Sequence, residues 1–167
     1  SFKVDGVVTA ATSSPLTIGA AALLLMERGL ADKMGLSYHL KYEAGVIAGC
    51  DPTVMGIGPI PAVKKLLART GLKVSDIDLW EFNEAFASQS LACVRELGIA
   101  ENAPFKNVNV WGGALAIGHP LGESGARLIV TLNNIMKTDY PDAKYGVATL
   151  CGAFGNAGAS LWRNVNK

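Results

Sequence analysis

The sequence predicts a layered α/β fold in which helices cover a largely buried sheet. Three observations carry this prediction. β-branched or apolar runs alternate with segments of helical spacing, in the order β, α, β, α, β, α, β, β. Half of the residues are apolar and only 17% are charged, a composition that builds a core and argues against disorder. At 167 residues the chain is long enough for one domain with a single sizeable core and too short for two ordinary ones.

The elements follow in order. Residues 6–10 (GVVTA) are short and β-branched and predict a strand. After the Thr-Ser-Ser-Pro turn, the Ala/Leu run at 20–26 reads as a buried strand, although 19–26 can equally begin as helix. Residues 27–35 predict a short helix closed by Gly35, and 38–48 a strand. The segment 51–61 (DPTVMGIGPIP) holds three prolines and is expected to be an ordered loop. A helix follows over 61–70, with Val63, Leu66 and Leu67 on one face and Gly71 as its stop. Residues 76–82 predict a strand, and 84–97 a helix with Phe86, Leu91, Val94 and Leu97 on its apolar side. Residues 108–111 predict a strand that enters the loop 112–122. A helix over 124–137 then repeats Leu128, Ile129, Leu132, Ile135 and Met136 at helical spacing. Residues 145–150 and 159–163 predict two strands joined by a Gly-rich tight turn, an antiparallel hairpin.

Composition narrows function. A net charge of +1 without a long basic run does not suggest nucleic acid. The longest apolar stretch, 20–26, is far short of the ~20 residues of a membrane-spanning helix, so a soluble, cytoplasmic protein is expected. Cys50, Cys93 and Cys151 are odd in number and widely spaced, which fits neither a disulfide framework nor a metal site.

Three loops carry candidate chemistry. At 83–86 (NEAF) a strand gives way to a helix. Asn83 either caps that helix or projects its amide from the carboxyl edge of the sheet, where open α/β sheets bind ligands. At 112–122 (GGALAIGHPLG) His119 sits between glycines ahead of a helix N-terminus. It is either a packed loop histidine or a neutral donor, because positive dipole potential there disfavours imidazolium and a neutral donor suits an enolate oxygen. At 150–158 (LCGAFGNAG) Cys151 ends a strand facing a Gly-rich turn. It is either a small packed apolar residue or a partly accessible thiol.

Taken together and in order, DPTVMGIGPIPA (51–62), NEAFASQ (83–89), GGALAIGHPLGESGAR (112–127) and GVATLCGAFG (146–155) resemble the thiolase family. The resemblance covers nearly all of the chain from about Gly35 onward. It implies one complete half of a duplicated fold, a mixed five-stranded sheet covered by helices. Residues 34–167 would form the C-terminal domain, and residues 1–33 the closing strand and helix of an N-terminal domain otherwise absent from the chain. It implies reversible Claisen cleavage or condensation of 3-ketoacyl-CoA, with coenzyme A and acyl-CoA as substrates and no bound cofactor or metal.

The resemblance assigns roles residue by residue. His119, with a water held by Asn83, would form the oxyanion hole for the enolate of acetyl-CoA, and Cys151 would move the α-carbon proton. Met55, Phe86, Leu115 and Ala153 would line the substrate groove and the thioester site. The acyl-accepting cysteine lies in the N-terminal half of thiolases, so this chain alone is expected to be inactive. It is expected to pair with such a half, in the same polypeptide or as a separate subunit, and to form homo- or hetero-oligomers through strands flanking the sheet. A non-catalytic CoA-ester-binding or assembly subunit is the alternative. Cys50 and Cys93 supply no electropositive niche for a nucleophile.

The chain departs from the family in two places. Ala153 and Phe154 stand where glycines are expected, a strained choice if the turn needs positive φ. The stretch 11–19 (ATSSPLTIG) differs from the family's loop beside the pantetheine, and Trp111 replaces a commoner small or polar residue.

Overall fold

The computed structural model describes residues 2–100 and 105–167. Its centre is a four-stranded mixed sheet of β1 (Leu40–Gly49), β2 (Leu79–Phe82), β3 (Tyr145–Gly152) and β4 (Asn156–Asn164), in spatial order β1-β4-β3-β2. β1 and β3 run antiparallel to β4, whereas β2 lies parallel to β3. The carboxyl ends of β2 and β3 therefore emerge at the same edge, and this brings the 83–86 and 151–155 loops together.

Helices cover both faces. α2 (Pro59–Thr70) and α3 (Ala87–Glu96) pack on one, where Ala62, Val63, Leu66 and Val94 meet Trp80, Phe82, Val147 and Leu161 in the larger core cluster. α5 (Ser124–Thr138) covers the other face of β2 and β3 through Leu132, Ile135 and Met136, which meet Leu79 and Trp162. The period-2 pattern of the strands divides these residues: Trp80 and Phe82 point to α2 and α3, Leu79 to α5. Each large side chain fully buried in this way is worth roughly 1.5–3 kcal/mol. Lys65 and Arg69 on α2 donate to the carbonyls of Ile47 and Gly45 at 3.0 and 3.2 Å, occupying acceptors on the edge strand β1.

The short helix α1 (Arg28–Lys33) is capped by Glu27 and followed by Gly35 at φ 64°, as the sequence predicts. α2 also ends as predicted, on Gly71 at φ 71°, but starts two residues early with Pro59 in its first turn. Ahead of it, the predicted 51–61 loop folds into a 3-10 turn over Pro52–Ile57, opened by the Asp51 carboxylate accepting from the Thr53 N–H at 2.8 Å.

Four expectations are corrected. The sheet has four strands among the described residues, not five: the predicted strand 108–111 contributes a single parallel bridge, Val108 to Trp80. Asn109 at φ 46° turns the chain away, and its side chain continues the ladder instead. Its Oδ1 accepts from the Phe82 N–H at 2.8 Å and its Nδ2 donates to the Phe82 carbonyl at 3.0 Å. The predicted strand 6–10 is a turn region leading into a 3-10 turn at Ala10–Thr12, closed by a Thr9/Thr12 capping box. Residues 20–26 form no strand or helix; Leu24 and Leu25 are exposed, and no described strand pairs with them. The predicted helix 84–97 begins only at Ala87, with Phe86 as its cap residue.

Candidate active site

Asn83 follows β2 directly and is 1% exposed. Its N–H donates to the Thr149 carbonyl at 3.0 Å, extending the β2–β3 ladder one step and aligning the Asn83 backbone with β3 just before Cys151. The side chain does not cap a helix. α3 starts four residues later, and Gln89 Oε1 caps the Phe86 N–H at 3.5 Å. The amide is left free to face the site: Nδ2 lies 3.4 Å from His119 Nε2, and the buried Oδ1 has no protein partner.

His119 is held from several directions. Its N–H donates to the Pro15 carbonyl at 2.9 Å, and its Nδ1 lies 2.6 Å from Ser124 Oγ. The preceding Gly118 sits at φ 91°, where L side chains are strained, and Thr17 fills the space a Cβ would need. Within the predicted loop, Ala114–Ile117 wind into one helical turn, α4, whose Leu115 N–H donates to Glu84 Oε2 at 3.1 Å. Glu84 also accepts from Asn109 Nδ2 at 2.6 Å, so the NEAF segment and the histidine loop share one carboxylate. α5 begins at Ser124, as the sequence predicts. Burial holds the His119 pKa below the ordinary imidazole value, the nearby Arg127 guanidinium adds to the depression, and Glu123 opposes it. The ring is neutral near pH 7, as expected, but burial is the main cause.

Behind the histidine is a buried charge cluster that the sequence reading did not find. Arg127 lies 3.9 Å from Glu123 and donates through Nη1 to the Gly118 carbonyl at 3.4 Å, while Arg127 Nε and Nη2 and Glu123 Oε2 are buried without hydrogen-bond partners. Glu81 on β2 is buried; desolvation pushes its pKa up to about 8, with Arg127 lowering it and Glu84 raising it.

Cys151, near the end of β3, is 8% exposed, the packed alternative of the two that the sequence leaves open. Burial pushes its thiol pKa up, so the resting group is S–H. The turn after it is fixed on both sides. Asn156 Nδ2 donates to the Ala153 carbonyl at 2.6 Å, and the Cys50 N–H donates to the Gly155 carbonyl at 2.7 Å. Phe154 adopts φ 64°, ψ 20°, the strained left-handed conformation anticipated if this turn required positive φ, and its ring is 90% exposed. Ala153, exposed beside it, avoids positive φ.

The 3-10 turn that carries the half-buried Met55 packs against this turn, and half-buried Phe86 and Leu115 flank Asn83 and His119 in the chain. Cys93 is fully buried, with its thiol pushed up to about 11 by desolvation, and Cys50 Sγ faces the Met55 carbonyl at 3.7 Å. Neither has the environment of a nucleophile.

The divergent stretch 11–19 also belongs to the site. Ser13 bridges Phe86, Ser14 donates to the Ala85 carbonyl through N–H (3.0 Å) and Oγ (3.2 Å), and Pro15 holds the His119 N–H. It ties the asparagine loop to the histidine loop. Among the described residues no group of three or more His, Cys, Asp or Glu is arranged to hold a metal ion, and no helix is long and apolar enough to cross a membrane.

Comparison with known proteins places this geometry. Residues 37–164 match the family described as thiolase, C-terminal domain. The chain is 49% identical over 162 residues to a 3-ketoacyl-CoA thiolase of Shewanella frigidimarina and 51% identical over 162 residues to one of Aeromonas hydrophila, in each case 97% of this chain and 41% of the relative. The crystal structure of the Bacillus anthracis acetyl-CoA acetyltransferase superposes with a TM-score of 0.89 at 38% identity, over 96% of this chain and 39% of that one. The chain thus spans about two-fifths of the length of the relatives it matches.

Proposed function

The chain belongs to the thiolase family, whose C-terminal domain it carries, and from that premise we propose that it supplies the enolate-stabilising and proton-transfer groups for reversible Claisen cleavage of 3-ketoacyl-CoA. The observation that carries this reading is the convergence of a free Asn83 amide and a neutral His119 ring, 3.4 Å apart, at the sheet edge where β3 delivers Cys151. Residues 34–167 form the catalytic C-terminal domain, and residues 1–33 close the preceding one.

Cleavage begins when a cysteine thiolate of the complementary N-terminal half attacks the 3-keto carbon. The C2–C3 bond breaks, the acyl group remains on that cysteine as a thioester, and the electron pair passes to the acetyl-CoA enolate. His119 Nε2–H, with a water held by Asn83, stabilises the enolate oxygen by directed hydrogen bonds, at no cost in reorganisation. The Cys151 thiol delivers its proton to C2, releasing acetyl-CoA. The resulting thiolate takes the proton of an incoming CoA thiol, which attacks the acyl-enzyme. A raised thiol pKa suits this order, since the group must start protonated as an acid. Met55, Phe86, Leu115 and Ala153 border the substrate groove.

Phe154 favours a second reading, a CoA-ester-binding subunit without turnover, because it holds a strained conformation where the family carries glycine. One experiment separates the two. The chain joined to a nucleophile-bearing thiolase half is expected to cleave acetoacetyl-CoA or a longer 3-ketoacyl-CoA with CoA, and His119→Ala is expected to lose at least about 100-fold in kcat while still binding substrate. Binding of CoA esters without turnover in the unmodified assembly would favour the second reading.

A further inference from the structure

We propose that Ser124 is a positioning residue for His119: its hydroxyl, aimed at Nδ1, holds the imidazole in the tautomer that carries its proton on Nε2, so that the ring presents an N–H to the enolate oxygen beside the water held by the Asn83 amide. This inference rests on the functional reading above and assigns a task to a residue with no assigned role in it.

Ser124 Oγ has one hydrogen and two neighbours that can accept it, His119 Nδ1 at 2.6 Å and the Pro120 carbonyl at 3.1 Å. The Pro120 carbonyl already accepts two backbone donors, the N–H of Glu123 at 2.9 Å and the N–H of Ser124 at 3.0 Å. A carbonyl oxygen has two lone pairs, so the hydroxyl must compete at Pro120 with both backbone donors, whereas Nδ1 is closer and has no other donor. The hydroxyl hydrogen therefore goes to the nearer neighbour, Nδ1. A neutral imidazole that accepts at Nδ1 must carry its hydrogen on Nε2.

The opposite assignment is internally consistent but chemically idle. With the hydrogen on Nδ1, the ring would donate to Ser124 and accept from Asn83 Nδ2. The ring would then present no N–H to a substrate oxygen, and only the second hydrogen of the Asn83 amide would remain to do so. The Asn83 to His119 separation of 3.4 Å is long for such a bond. It suits two neighbouring donors that do not bond each other, the ring directed at the enolate oxygen and the amide at its water.

Ser124 is placed for this task by the fold. It is fully buried and is the first residue of α5, so the helix that covers the sheet fixes it against the histidine loop. Pro120 O, one residue beyond the histidine, binds that same helix end. Position and proton direction are thus set by one contact.

The test reads the tautomer directly. The chain contains two histidines, so nitrogen-15 NMR of histidine-labelled protein, with His39→Gln to assign the spectrum, resolves both ring nitrogens of His119. At a pH where the ring is neutral, the unmodified chain is expected to show a hydrogen on Nε2 and a bare Nδ1. Ser124→Ala is expected to admit a measurable fraction of the other tautomer. Ser124→Thr, which keeps the hydroxyl, is expected to restore the first pattern. In the assembly with the nucleophile-bearing half, Ser124→Ala should lower kcat by about 10–100-fold with KM changed by less than about two-fold. A hydrogen on Nδ1 in the unmodified chain overturns the proposal even if Ser124→Ala fails to fold. So does a folded Ser124→Ala protein with an unchanged tautomer and kcat. An assembly without turnover defeats the functional reading, while the spectrum still decides the placement of the proton.

Discussion

Replacing Phe154 by glycine should stabilise the protein. Phe154 sits at φ 64°, ψ 20°, and its ring is 90% exposed, so little burial is lost when the ring is removed. The left-handed conformation costs a non-glycine residue roughly 1–2 kcal/mol. Glycine removes that cost but gives back about 0.5–1 kcal/mol through the greater freedom of the unfolded chain, leaving a net gain of about 0.5–1 kcal/mol. For a chain of this length that corresponds to a rise in Tm of about 1–4 °C. The turn is held in this conformation from both sides, because the Asn156 side chain and the Cys50 N–H donate to the carbonyls of Ala153 and Gly155. Phe154→Ala is the control: alanine keeps the strained φ, so its Tm should stay within about 2 °C of the parent. Thermal denaturation followed by circular dichroism reads both variants. A lower Tm for Phe154→Gly, or an equal rise for Phe154→Ala, would refute the reasoning.

Two further predictions concern the surroundings of the site. Because the carboxyl of Glu81 is raised to about 8 in the fold from 4.5, the unfolded chain releases that proton first, and this residue's contribution to stability falls as pH rises from about 5 to 8. Glu81→Gln should flatten the profile and gain on the order of 3 kcal/mol over the parent at pH 8 relative to pH 5, read by urea unfolding at each pH; an unchanged slope would contradict a buried, protonated Glu81. Gly146 faces Leu132 of α5 so closely that a Cβ would overlap it. Gly146→Ala should cost about 1–3 kcal/mol, seen as a lower urea midpoint, and a neutral result would mean that α5 packs less tightly on β3 than described.

What was legible in the sequence followed from local rules. α2 and α5 were read from apolar spacing and, for α2, its glycine stop, and the β3–β4 hairpin from alternation around a Gly-rich turn. The strand expected at 20–26 is not formed because an apolar run becomes a strand only when another strand pairs with it, and none of the described strands does. The fifth strand was overestimated because a side chain, Asn109, performs hydrogen bonding that a sequence pattern attributes to backbone. The candidate residues Asn83 and His119 were found through their loop context, yet their contact joins positions 36 apart in the chain. Ser14 and Pro15, which tie those loops together, carry no local signal at all, since their partners at Ala85 and His119 are set only by the tertiary fold. Ser124 was read only as the start of a helix, which it is; the histidine it faces depends on how the 119–123 turn folds back.

The proposed function requires Asn83, His119 and Cys151 together to generate and protonate an acetyl-CoA enolate. Exchange of the acetyl-CoA methyl hydrogens with deuterated water, followed by mass spectrometry in the assembly with a nucleophile-bearing half, isolates that step. The account predicts exchange in the unmodified assembly and a loss of at least about 100-fold in Cys151→Ala; exchange at the parent rate in Cys151→Ala would contradict it.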